Sequence, residues 1–154
     1  MVQSERSFKY LCVFLVGLAY SFVFMPLYTA GDQVHYRRFY EMAEVSSWFE
    51  LYALQISILG SYEPGYYFFV KIFSGLVDKD LLVSLINATM LTLLYAVVRR
   101  KRMPSWFFAG VLCSFYLAVL FFGAERLKLA VCPFLLFFLA DKQLLKRLLL
   151  LLSV

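Results

Sequence analysis

Histidine occurs once in this 154-residue chain, as His35, and cysteine three times, as Cys12, Cys113 and Cys132. One histidine among scattered carboxylates gives neither metal-ligand spacing nor a Ser-His-Asp arrangement, so no metal and no cofactor is expected. The cysteines stand singly inside apolar runs and lack a CxxC partner. They read as small apolar side chains and imply neither disulfides nor zinc. Charge is scarce as well, at 16% of residues, against about 25% in soluble domains. The net charge of +5 is no nucleic-acid footprint, because its basic residues sit in short clusters at the ends of apolar runs.

Apolar residues are abundant instead. They make up 63% of the chain, with a mean hydropathy of +0.78, where soluble domains hold about 45–50%. A chain this short cannot hide that excess in a soluble core, so an integral membrane protein is expected. The fold class predicted is all-α: a polytopic helical membrane protein, one membrane domain over 1–154, with about four spans. These fall at about 10–28, 81–98, 105–122 and 126–140, with an outer loop over about 29–80 and a possible partial span at 148–154. The fourth run is short unless it recruits Leu127 and lets Lys128 snorkel to the interface.

Basic residues set the orientation. With the N-terminus in the cytoplasm, Arg6, Lys9, Arg99, Arg100, Lys101, Arg102, Lys142, Lys146 and Arg147 lie inside. Arg37, Arg38, Lys71, Lys79, Arg126 and Lys128 lie outside. The Arg99–Arg102 cluster abutting a span decides the matter under the positive-inside rule. The loop over 29–80 then faces outward.

That loop carries most of the residues with chemistry. Gly31-Asp32 reads as a helix start with Asp32 at the N-cap, and Asp32, Tyr36 and Tyr40 then share one face at four-residue steps. Ser47-Trp48-Phe49-Glu50 fits a capping box, opening a helix that Gly60-Ser61 stops. Glu63-Pro64-Gly65 opens a third, aromatic helix, too short to span, since proline suits the first helical position. The loop is expected to be short helices lying against the outer leaflet.

An uncharged first span, then Gly31-Asp32…Tyr36…Tyr40, then Tyr62-Glu63-Pro64-Gly65-Tyr66, then Arg126-Leu127-Lys128-Leu129-Ala130 resembles the EpsG family of Wzy-like polysaccharide polymerases. The likeness covers about residues 10–140 and rests on the order and spacing of its motifs. It implies a glycosyltransferase that makes exopolysaccharide, capsule or O-antigen. Such an enzyme joins undecaprenyl-diphosphate-linked oligosaccharide units at the outer face of the bacterial inner membrane. It also implies flippase and chain-length regulator proteins as partners, beside membrane lipid. Family members are longer, so the resemblance implies a truncated chain, and Lys128 departs from the uncharged residue common at that place.

Transfer from a lipid diphosphate needs cations on the leaving group and a base or orienting acceptor for the incoming hydroxyl. Arg37, Arg38, Arg126 and Lys128 are the candidates for diphosphate binding. Asp32, Glu63 and His35 are the candidate catalytic groups, and Tyr36, Tyr40, Tyr62 and Tyr66 the sugar-contacting ones. Each has a plainer reading. Asp32 suits a helix cap, Glu63 a turn acceptor, the arginines lipid anchors, and the tyrosines an interfacial belt. A non-catalytic membrane assembly subunit and a lipid-linked glycan transport component remain the alternatives.

Overall fold

A computed structural model describes residues 2–153, with the side chains of residues 2–4 and 6 outside that description. Val154, at the end of the expected partial span, also lies outside it. Among the described residues all regular structure is helical. Helix α1 (Val2–Phe24) runs into a 3-10 turn (Met25–Leu27), and three short helices follow: α2 (Asp32–Val45), α3 (Trp48–Leu59) and α4 (Pro64–Phe73). Then come α5 (Lys79–Arg100), α6 (Ser105–Leu112), α7 (Phe115–Phe122), α8 (Glu125–Leu139) and α9 (Gln143–Leu152).

Two helical segments, Ser7–Leu27 and Lys79–Arg100, are long and apolar enough to cross a membrane. They pack on each other as the principal helix pair. Gly17 allows the approach: a Cβ there would lie 3.0 Å from Leu91 Cδ2 and 3.4 Å from the Ala88 backbone. Small residues let helix backbones close up in this way. Asn87 Nδ2 donates to Ser21 Oγ at 2.8 Å across the same seam, and both side chains are fully buried.

Four elements differ from the sequence expectation. The second apolar helix starts at Lys79, because the Asp78 carboxylate caps it by accepting from Leu81 N at 3.0 Å. The run over 105–122 is two helices bent by 59°. Ser114 breaks it: its hydroxyl accepts from Leu117 N at 3.2 Å, starting α7 afresh. Counted as one, that pair brings the total to three candidate spans. Helix α8 has 15 residues, as many as the expected run over 126–140, but it is not among the helices long and apolar enough to cross a membrane. Finally, the polar stretch before Leu148 is already helical, so α9 begins at Gln143.

The loop helices pack into a core of their own. Phe39, Ala43 and Leu51 are fully buried in a core that also takes Tyr36, Tyr40, Tyr66, Tyr67, Val70 and Leu82. Local sequence builds these helices as expected at three points. Ser47 Oγ accepts from Glu50 N while Glu50 Oε2 accepts from Ser47 N, closing the capping box. That bond holds the Glu50 carboxyl below its ordinary pKa. Gly60 ends α3 with φ 65°, and Pro64 opens α4. The fourth point is a correction. Gly31, at φ 62°, takes the N-cap of α2, and Asp32 becomes its first residue with no cap bond. A side chain is disfavoured at that positive φ, whereas Asp32 keeps a favourable place beside the helix N-terminus.

Candidate functional site

Helix α8 begins where the loop bundle meets α5, and its first two residues point into two polar layers. The outer layer surrounds Arg126. Its Nη1 donates to Glu63 Oε1 at 2.7 Å and to Ser61 Oγ, and its Nε donates to Tyr36 Oη at 3.2 Å. The guanidinium also stands 6.0 Å from the Tyr36 ring centre. Its Nη2 makes no hydrogen bond among the described residues. The Arg126 and Glu63 side chains are 28% and 44% exposed, so a solute can reach this layer.

The inner layer is buried. Lys79 Nζ donates to Glu125 Oε1 at 2.5 Å and to Gln33 Oε1 at 2.8 Å. Tyr66 Oη donates to Glu125 Oε2 at 3.1 Å. Gln33 passes its amide on to Phe122 O at 2.6 Å. The rings of Tyr36 and Tyr66, 5.7 Å apart edge to face, join the two layers. Burial, followed by the Glu125 carboxylate, raises Tyr66 well above the ordinary phenol range. Burial raises Tyr36 too, against the Arg126 cation that favours its ionised form. Both phenols therefore stay protonated at neutral pH and act as hydrogen-bond donors or orienting groups, with no role as bases.

Beneath lies the carbonyl end of α7. Phe121 O accepts from Lys128 Nζ at 2.6 Å and from Asn87 Nδ2 at 3.0 Å. Lys128 is almost fully buried. It does not snorkel as its sequence position suggested, because the last turn of α7 offers carbonyls with no helical partner. A Lys128 engaged there is out of reach of a diphosphate in the outer layer.

Of the other sequence candidates, Glu63, Tyr36 and Tyr66 gather with Arg126. Arg37 does not. Its guanidinium pairs with Asp80 at 2.9–3.0 Å and donates to Met25 O at 3.0 Å. Tyr40 is buried, with its hydroxyl 2.8 Å from Val77 O and 3.1 Å from Phe73 O. Asp32, His35 and Arg38 are exposed, and Tyr62 packs on Tyr52 with most of its ring in solvent. Lys79, Glu125 and Gln33 were missed by sequence reasoning. A charged residue at the first position of an apolar helix is the signal that could have found the first two.

A polar cleft of about 420 Å³ opens beside this cluster, lined by Arg37, Glu41, Glu44 and Asp78 among others. Its cations are already spent on Asp80 and Glu125. Three carboxylates then dominate its walls, which suits no anion. The outer Arg126 layer, whose Nη2 is unengaged among the described residues, suits an anion better than this cleft. Comparison with known protein families, with curated proteins and with solved structures found no match.

Proposed function

We propose that this chain is a polymerase-type membrane glycosyltransferase acting on undecaprenyl-diphosphate-linked oligosaccharide at the outer face of a bacterial inner membrane. One observation carries the reading. Three segments that make up the family resemblance, around Tyr36, Glu63 and Arg126, converge on a single guanidinium although they lie 63 to 90 residues apart in pairs with Arg126. The proposed topology has an N-terminus in the cytoplasm and about four spans, counting α1, α5, the bent α6–α7 pair and α8. The loop helices stand on the opposite side.

In the proposed reaction Arg126 offers Nη2 to a phosphate oxygen of the lipid diphosphate. As the diphosphate takes over the guanidinium, the Glu63 carboxylate is released from its ion pair and can accept a proton. The hydroxyl oxygen of the incoming unit attacks the anomeric carbon of the growing chain, and its proton passes to Glu63. The bond from that carbon to the diphosphate oxygen breaks, and undecaprenyl diphosphate leaves with the electron pair. The buried Tyr36–Tyr66 pair backs the guanidinium from within and fixes its orientation.

The test is glycan ladder formation by membranes carrying the full chain with defined lipid-linked units. Glu63→Gln and Arg126→Lys should each abolish long products while membrane insertion persists. A chain that tolerates both substitutions is an assembly subunit, and the reading fails. Accumulation of units on the cytoplasmic face would indicate transport instead. Cysteine labelling at His35→Cys and Arg102→Cys should mark opposite sides of the membrane.

A further inference from the structure

At the far end of the molecule from Arg126, helices α1, α5 and α8 enclose a cavity of about 510 Å³ lined by Glu5, Lys9, Tyr10, Tyr95, Arg99 and Arg100, with Ala96 and Leu139 completing it. Arg100 is already engaged. It donates to Leu139 O at 2.5 Å and pairs with Asp141, tying the end of α8 to α5. Lys9 and Arg99 are different: among the described residues neither side chain has a hydrogen-bond or ion-pair partner. With Arg100 neutralised by Asp141, two free cations face the one carboxylate of Glu5, a net +1.

The walls distinguish what such a cavity would take. Its lining includes the edge-to-face pair Tyr10–Tyr95, with ring centres 5.6 Å apart, and the small Ala96. The space is far larger than an inorganic phosphate needs. It lies at the ends of the two helices long and apolar enough to cross a membrane, and Val16 and Tyr20, both exposed and on the Lys9 face of α1, continue from it into an apolar groove shared with Leu91. Cations at the mouth, tyrosines at headgroup level and an apolar helix face beyond match the sequence of zones in a phospholipid. Arg99 and Arg100 alone would be explained as favourable charges in the last turn of α5. Lys9, on another helix and facing the same space, is not.

We infer that the cleft between α1 and α5 binds the phosphate headgroup of an anionic phospholipid, with Lys9 and Arg99 on the phosphate and the acyl chains along Val16 and Tyr20. Basic pockets between membrane helices hold anionic headgroups by this combination of charge and shape. The site is independent of the glycosyltransferase reading, which concerns the opposite end of the molecule.

The experiment is native mass spectrometry of the purified full chain in detergent, titrated with phosphatidylglycerol and, in parallel, phosphatidylcholine. The expected result is retention of phosphatidylglycerol over phosphatidylcholine. The double variant Lys9→Ala/Arg99→Ala should weaken it by about tenfold or more, from two lost cation contacts. Ala96→Phe keeps every charge but fills the space, and should weaken binding as well. Lys101→Ala/Arg102→Ala, removing equal charge outside the cavity, should leave it unchanged. Thermal melting of each variant checks that it is folded, and two independent cavity variants guard against loss of either. Equal loss from the outside pair would mean diffuse surface charge and overturn the site. So would indifference to lipid charge, unaltered binding in Ala96→Phe, or displacement by millimolar inorganic phosphate.

Discussion

Lys79 and Glu125, the first residues of α5 and α8, meet at 2.5 Å with only 6% and 5% of their side chains exposed. Glu125 is well placed at a helix N-terminus, whereas Lys79 is not, since the positive end of α5 repels a cation. Lys79 is held there by Glu125 and by the Gln33 carbonyl. Breaking one side of such a buried pair strands a charge. Lys79→Met or Glu125→Leu should each cost roughly 3–5 kcal/mol, and the two together should recover much of that loss. Chemical unfolding in detergent reads all three. A double variant equal to the sum of the singles would show that the charges are uncoupled.

The approach of α1 to α5 depends on the absence of a side chain at position 17. Gly17→Ala pushes only on the flexible end of Leu91 at 3.0 Å, and should be absorbed at small cost. Gly17→Val reaches further into the Ala88 backbone and should cost about 1–3 kcal/mol by overpacking. The measurement is the melting temperature of the two variants beside the parent. Equal stability for all three would show that the seam has slack.

Alkali should loosen the loop bundle. Burial, with Asp78 and other carboxylates adding to it, pushes Tyr40 up to about 12, and Tyr66 also lies well above the ordinary value. In the unfolded chain a phenol ionises near about 10. Between those values the native state binds more protons than the unfolded one, so stability falls as pH rises. Below about pH 10 the contribution is fully present. The melting temperature should therefore hold to about pH 9 and decline from about pH 10 to 12, less steeply in Tyr40→Phe. A flat profile to pH 12 would contradict this.

The last turn of α7 offers a fourth check. Phe121 O has two donors, Asn87 and Lys128, so removal of either leaves the carbonyl bonded. Lys128→Met should be mild, near 1 kcal/mol, whereas Lys128→Met combined with Asn87→Leu orphans a buried acceptor and should exceed the sum of the singles by about 1–2 kcal/mol. Simple additivity would mean that water satisfies Phe121 O.

Local rules were legible in the chain and non-local ones were not. The capping box at Ser47 and Glu50, the stop at Gly60 and the start at Pro64 depend on neighbours within four residues, and each stands as read. The Gly31 cap was missed because Asp and Gly both suit a helix start and only the backbone turn entering α2 separates them. Ser114 sits in an apolar run with no proline, so the run read as one span; a hydroxyl with a free backbone N–H three residues on was the only clue. Glu63, Tyr36 and Arg126 were candidates from residue type and spacing, but their meeting was not visible. Lys79 and Glu125 are 46 residues apart, and each alone looked like a boundary charge. Nothing local to Lys128 showed that the end of a broken helix would draw it inward.

The kink at Ser114 sets an order for biogenesis. When residue 122 has emerged from the ribosome, the carbonyls closing that helix have at best Gln33 and Asn87 to bind, both far upstream in the chain. Lys128 is still in the exit tunnel. A nascent chain at this stage would leave polar backbone facing hydrocarbon. In the proposed topology the bent pair should thus linger beside the translocon until α8 follows, and the two enter the bilayer as one unit.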